Sequence, residues 1–434
     1  MQMNKTILTS FVILHLSFAV FLQGSKTFVK ANPNVINIPS DYATIQLAVN
    51  NASAGDIIFV STGVYYEHVT IDKSLTLRGE NGSSIIDGNC TGPVIKITAD
   101  NVNINGFTIQ NGGWSPGIYQ YSSSNSNISD NIVINNGHGI LLENSTNNIL
   151  TRNNVSHNYI GIGLDSSSNS ILTRNNVSSS VRCGIGLSSS SNNILDGNFA
   201  SNNEHGIWLD YSTNVTVTGN SVTDNLNGIS LDHSDNITIF HNNIINNTQQ
   251  TRIIDSANMW DSDYEGNYWS NYNGIDADQD GIGDSPRIID ANNTDNYPLM
   301  GTFSDFTITW EEQLHHVTTI CNSTISNFNF EVIHDGINKT ISFNVTGEDG
   351  TAGFCRIRIP TALMNDTFTV YVDGVNTTYT RPRSDATHSY LYFTYNHSTK
   401  KVIIIPEFPS PLLPYLLMTL TLAATAYLKR KTTP

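Results

Sequence analysis

Apolar residues in the middle of the chain come in pairs two positions apart: Ile140 and Leu142, Ile162 and Leu164, Ile185 and Leu187, Ile207 and Leu209, Ile229 and Leu231. That spacing puts both members on one face of an extended strand. The runs are too short for helices, and Ser, Asn and Gly interrupt them. The pattern itself recurs. Gly-Ile stands at Gly117, Gly139, Gly161, Gly184, Gly206 and Gly228, at steps of 22, 22, 23, 22 and 22 residues. An asparagine keeps phase at Asn131, Asn153, Asn175, Asn198, Asn220 and Asn242, and a second at Asn125, Asn147, Asn169, Asn192, Asn214 and Asn236. One such strand cannot bury its face alone, but stacked coils bury a continuous core. A strand–turn–strand–turn unit of this length is one turn of a parallel β-helix. A leucine-rich repeat has a similar period but needs a Leu-rich consensus, which this chain lacks. Coils in register lie about 4.8 Å apart. Asparagine at a turn then bonds to asparagine above and below, so both columns read as structural ladders.

The flanks differ from the repeat. Residues 35–80 predict a short amphipathic helix carrying Ile45, Leu47, Ala48 and Val49, capped by Ser40 or Asp41, then strands near 56–60, 68–71 and 74–78. Such a helix covers the open end of a solenoid. Coils run to about 250, and residues 260–300 break the period. Segments such as "ISFNVTG", "FCRIRIP" and "SYLYFTY" give 303–405 the alternation of a small β-sandwich, a spacer or adhesion module. At the N-terminus, Lys5 followed by an apolar run predicts a signal peptide over 1–31. At the C-terminus, 406–434 hold an apolar stretch and then Lys429, Arg430 and Lys431, the pattern of a membrane anchor with a cytoplasmic tail.

Charge narrows the partners. The chain of 434 residues has a net charge of −16 and only 21 Lys plus Arg, which argues against nucleic acid. Asn-x-Ser/Thr sites are dense, including Asn127, Asn144, Asn154, Asn176, Asn214 and Asn236, as in a glycosylated exported protein. Of four cysteines, Cys90 and Cys183 fall about four coils apart, too far to bridge. Cys321 and Cys355 share the sandwich, and a disulfide between them is expected there. None of the four has metal-ligand spacing.

Three sets of residues carry candidate chemistry. Four positions after each repeat glycine stand Tyr121, Glu143, Asp165, Ser188, Asp210 and Asp232. Neighbours in this outward column can share a proton, bind calcium or serve a glycosidase. Asp210 and Asp232 with His233 are the catalytic candidates, against the reading that an outward column merely tolerates polar residues. The second set is Asp276, Asp278, Asp280, the Ile282 carbonyl and Asp284, spaced like the first half of an EF-hand loop around Gly281. Arg287 stands where that loop has its glutamate, and Asp290 is the substitute ligand. Calcium is the expected, structural ion; copper is poorly served, since it prefers imidazole and sulfur. The third set is aromatic. Tyr121, Trp208 and Tyr211 are candidates for stacking on sugar rings, while Trp260 and Trp269 are expected to plug the last coil.

Three resemblances add to this. The opening I-P-x-D-Y-x-T-I-Q-x-A, then G-D and G-x-Y-x-E, resembles that of pectinesterase-like β-helix proteins. "GNYWSNY" at 266–272, "DADQDGIGDSP" at 276–286 and "DNYPLM" at 295–300 resemble the terminal signature of NosD-type right-handed β-helix proteins. With the repeats this covers 35–300 and implies an all-β, right-handed, single-stranded parallel β-helix with a cap at 260–300. "IPEFPSP" at 405–411 resembles the archaeal PEF-CTERM sorting signal, which implies an archaeosortase as partner. The expected function is a cell-surface module, non-catalytic, that binds or displays carbohydrate. The alternatives are a polysaccharide lyase, hydrolase or epimerase, and NosD-like copper handling.

Overall fold

A computed structural model describes residues 33–262, 264–333, 338–364, 367–383 and 385–406. The signal peptide and the anchor expected from the sequence lie outside the described residues. Among those described, no helix is long and apolar enough to cross a membrane.

Each coil carries three short strands, as in Asn127–Ser129, Ile132–Ile134 and His138–Glu143. They build three parallel sheets of ten, ten and nine strands. The first face runs from Val35–Ile38 to Thr238–Phe240, the second from Gly63–Tyr66 to Tyr268–Trp269, and the third from Val69–Ile71 to Gln249–Ile254. Equivalent residues of successive coils pair, so Ile140, Ile162, Ile185, Ile207 and Ile229 form one inward stack, each fully buried. The stack is a right-handed β-helix.

The corners explain the repeat. Each turns on one residue in the left-handed region, followed by a buried polar residue. At the first corner Asp130, Arg152 and Arg174 have φ of 56°, 54° and 55°. Behind them Asn153 Nδ2 donates to Asn175 Oδ1 (3.0 Å) and Asn175 Nδ2 to Asn198 Oδ1 (2.9 Å), and this ladder continues through Asn220 and Asn242 to Asn267. The second corner has a similar ladder in two pieces, Asn136 to Asn158 and Ser180 through Asn203 and Asn225 to Asn247, with a break at Ser180, whose buried hydroxyl has no partner. Serines serve the third: Ser145, Ser167, Ser190, Ser212, Ser234 and Ser256. One of the two asparagine columns seen in the sequence is therefore such a ladder. The other is different. Asn125, Asn147, Asn169, Asn192, Asn214 and Asn236 are exposed, with φ between 53° and 60°, a conformation asparagine adopts more readily than most residues. The repeat glycines answer a space demand. A Cβ on Gly139 would lie 2.4 Å from Val155 Cγ1 and 2.6 Å from the Gly161 carbonyl oxygen.

Helix α1 (Ile45–Asn51) covers the first coil and buries Ile45, Ala48 and Val49. Its N-cap is Thr44, which accepts from the Leu47 amide at 3.2 Å, in place of Ser40 or Asp41. Leu47 points outward, 46% exposed. Glu67, the last residue of G-x-Y-x-E, accepts from the Ile45 and Gln46 amides at 3.0 Å each, so a carboxylate from the next coil caps the helix dipole.

At the other end Trp260 and Trp269 plug the core, 0% and 1% exposed. Their indole nitrogens donate to Asn293 Oδ1 (3.0 Å) and Asp295 Oδ2 (2.8 Å). Beyond them, sheets of four and five antiparallel strands enclose one shared core containing Val317, Phe343, Phe368 and Phe393, the packing of a β-sandwich. Buried contacts join it to the solenoid. Arg356 donates to Glu265 (2.6 Å), whose other oxygen meets His241 Nε2 (2.7 Å). His241 stacks on Phe303 at 4.0 Å, and Asn243 exchanges two hydrogen bonds with the Phe303 backbone.

Candidate functional site

The outer side of the third face is where the sequence-predicted residues converge. Tyr121, Glu143, Asp165, Ser188, Asp210 and Asp232 are paired coil to coil in one column. Beside it runs Lys96, Tyr119, Leu141, Gly163, Gly186, Trp208, Ser230 and Arg252. The two glycines leave the middle of that second column without side chains, between Leu141 and Trp208.

Asp232 is engaged on all sides. Arg252 Nη1 reaches back one coil to both its oxygens, at 2.6 and 2.7 Å, and the Trp208 indole donates at 3.1 Å. Trp208 is itself held. The His205 ring stacks on it with centroids 5.6 Å apart, and the Arg182 guanidinium lies 4.5 Å from its centroid. His205 Nδ1 meets Ser230 Oγ at 2.7 Å. Burial first, then the charge of Asp232, pushes the Asp210 carboxyl above its ordinary range, against the pull of His233 and Arg182. Further along, Tyr119 donates to Glu143 at 2.7 Å and packs by Tyr121 at 5.9 Å. Burial, then the Glu143 contact, raises the Tyr119 hydroxyl.

The structure separates the candidates that the sequence grouped. Tyr211 and His233 are corner residues with φ of 46° and 49°, one coil apart, stacked at 4.6 Å and 2° from parallel. His233 faces Asp255 at 3.6 Å. It is a rung of the corner, beside the Asp210–Asp232 column rather than within it. Arg182, His205 and Arg252 were missed as partners. Arg252 sits in a strand whose sequence, "QQTRII", has lost the Gly-Ile marker, yet the register carries one coil further and would have found it.

The acidic loop lies against the sandwich. Ligand atoms of Asp276, Asp278 and Asp280 fall within 4.8 Å of one another, the one group of three His, Cys, Asp or Glu among the described residues. Asp276 takes the Asp280 and Gly281 amides at 2.9 Å each, and Asp280 the Ile282 amide at 2.7 Å. These bonds hold the loop while leaving carboxylate oxygen for a hard cation. Asp284 is outside the trio and accepts from the Ala277 amide at 2.8 Å. Ile282 packs its side chain into a small core with Leu299, Phe303 and Ile320. Asp290 braces Asn293 at 2.9 Å. Cys321 and Cys355 pair directly across neighbouring strands, buried and as free thiols.

The model of the NosD family, described as periplasmic copper-binding protein, matches residues 49–274, just over half of the chain. The chain belongs to the NosD family. A relative of this NosD-family chain, a cell surface glycoprotein of Methanothermus fervidus, is 37% identical over 103 residues, 23% of this chain. The match spans only 17% of that glycoprotein's length. Solved structures similar to it include the A-module of the Azotobacter vinelandii mannuronan C-5 epimerase AlgE4, 16% identical, covering 55% of this chain and 88% of that one, TM-score 0.40. The polygalacturonase of Erwinia carotovora ssp. carotovora is 14% identical over 54% and 80%, TM-score 0.42. Pectate lyase Pel9A is 12% identical over 57% and 82%, TM-score 0.42.

Proposed function

We propose that this protein is an extracellular, surface-held β-helix that binds a glycan strand along the outer side of its third face without cleaving it. One observation carries the reading: Asp232, the carboxylate best placed for chemistry, is clamped by Arg252 and Trp208 and supports an ordered array of donors and rings. An array of aromatic planes and fixed hydrogen-bonding groups suits sugar recognition. The glycosylation sites support the choice of face. Asn127 lies on a first-face strand, Asn154 and Asn176 on second-face strands, and no third-face strand contains such a site. Asn144 directly follows Glu143, so a glycan there would border the third face, while its strands themselves carry none. The glycoprotein relative and the family's description support the exterior location. Calcium on Asp276, Asp278 and Asp280 steadies the terminal cap.

The test is a panel of neutral and acidic polysaccharides, with calcium, scored for binding and for new reducing or unsaturated ends. Binding that is lost in Trp208→Ala, with no new ends, is the expected result. A second reading, a polysaccharide-cleaving or epimerising enzyme, is favoured by the raised Asp210 beside Asp232, one carboxyl holding its proton more readily next to another. Cleavage or epimerisation abolished by Asp210→Asn would establish it and end the non-catalytic reading. Copper handling rests on the family's description; copper retained by protein isolated from the cell surface would favour it.

A further inference from the structure

A second recessed site lies away from the third face, where the terminal cap meets the sandwich. A cleft of about 330 Å³ is lined by Tyr264, Tyr297, Asp280 and Ile282 from the cap and by Arg356 and Arg383 from the sandwich. That volume is at the small end for ligand sites, enough for one sugar-sized molecule. Arg356 is only 5% exposed. Its Nη2 is bound to Glu265 at 2.6 Å, but its Nη1 is buried with no partner. A buried guanidinium nitrogen without an acceptor is costly, and an incoming anion relieves it. Arg383 lays its guanidinium 3.9 Å from the Tyr264 ring centroid, so that ring face is taken, while Tyr297 stands 6.4 Å from Tyr264. Two arginines in one small cleft are notable in a chain with 21 Lys plus Arg and a net charge of −16.

We propose that this cleft binds a carboxylated pyranose, a uronic acid unit. It is separate from the third face and deepens the glycan reading by naming a ligand class. The carboxylate goes to Arg356 and Arg383, whose planar forks match it. Asp280 also lines the cleft and offers an acceptor to the ring hydroxyls. The sugar ring lies against Tyr297. Neutral sugars lack the anion, and sulfate lacks the hydroxyls and the apolar ring face.

The test uses the full-length protein and titration calorimetry with glucuronate, galacturonate, glucose and sulfate. The expected result is saturable binding of a uronate, with glucose and sulfate at least tenfold weaker. Arg383→Ala and Tyr297→Ala, both of which leave the Arg356–Glu265 pair in place, should each weaken it tenfold or more with the thermal midpoint unchanged. Trp208→Ala should leave it intact, which separates this site from the third face. Absence of uronate binding to the folded wild type, equal binding of sulfate, or uronate binding indifferent to both variants would overturn the proposal. Loss of polysaccharide binding in Trp208→Ala with uronate binding retained would leave both sites standing. Uronate binding lost in Trp208→Ala would place the uronate on the third face and overturn the proposal.

Discussion

Arg252 and Asp232 meet across one coil, with the guanidinium Nη1 2.6 and 2.7 Å from the two carboxylate oxygens. This pair turns the most suggestive acidic residue of the third face into a fixed element. Arg252 is partly exposed and Asp232 nearly buried, so the bond is stronger than a surface pair and weaker than a dry one.

Removing the cation leaves the carboxylate with the Trp208 indole as its side-chain partner. Arg252→Ala is expected to cost about 1.5–3 kcal/mol by denaturant unfolding, the range for hydrogen bonds to charged groups. It should also weaken glycan binding. Stability unchanged within error would show that the pair is solvated and would remove the support for the array.

The asparagine columns make opposite predictions. Asn175 accepts from the Asn153 backbone and side chain and donates to the Leu150 carbonyl and Asn198. Asn175→Ala strands several buried groups and should cost about 2–4 kcal/mol, since each unmet buried group costs about 1–3. Asn169 is exposed at φ 54°. Asn169→Gly should be near neutral and Asn169→Ala should cost about 1 kcal/mol, the left-handed penalty alone. Paired melting curves of the three variants read this directly.

Glu265 and Asp295 should give the cap pH dependences of opposite sign. Burial alone would raise Glu265, but the His241 hydrogen bond and then Arg356 outweigh it and hold the carboxyl at about 2. A lowered carboxyl contributes stability above its unfolded value near 4.5, lost as pH falls toward 2. Asp295 runs the other way. Burial outweighs the Trp269 and Asn267 hydrogen bonds and lifts it to about 6. Its contribution is full below the unfolded value of 3.8 and is lost as pH rises through 6. Solenoid–sandwich cohesion, followed by limited proteolysis at the junction of cap and sandwich, should therefore fail between pH 4.5 and 2. Glu265→Gln should flatten that acid limb and cost about 3–5 kcal/mol, the range for a broken buried pair. An acid limb identical in Glu265→Gln would assign it elsewhere.

The cysteines should sort by environment. Cys90 is exposed and should alkylate in the native protein. Cys183 is buried, and burial pushes its thiol to about 12, so it should stay unreactive until unfolding. Cys321 and Cys355 pair in register and should close to a disulfide in the oxidising exterior, read by differential alkylation after denaturation. Both labelling as thiols in protein isolated from the cell surface would remove that expectation.

The acidic trio should bind terbium in competition with calcium, seen as sensitised luminescence from nearby aromatic rings. Asp278→Asn is expected to weaken calcium at least tenfold and to lower the thermal midpoint only when calcium is present. A midpoint indifferent to calcium would leave the loop held by its own amide bonds.

Periodicity alone determined the solenoid. The step of 22 residues, the paired apolar positions and the buried asparagine column each follow from a local rule repeated, so the sequence contains them in full. The tryptophan plug was legible for a similar reason, because large apolar residues where a repeat stops have one place to go. What the sequence left open were relationships between coils and between domains. That the second asparagine column serves backbone conformation, that the corner and not the strand owns His233, and that Arg252 belongs to Asp232 all depend on which residues share a register and which face they leave by. The cleft between cap and sandwich depends on more still. Tyr297 and Arg356 are brought together only by packing two separately encoded domains, through Glu265, His241 and Phe303. Periodic order is written along the chain, one coil at a time; contacts between non-repeating elements are set by three-dimensional packing, for which no single stretch of sequence carries the signal.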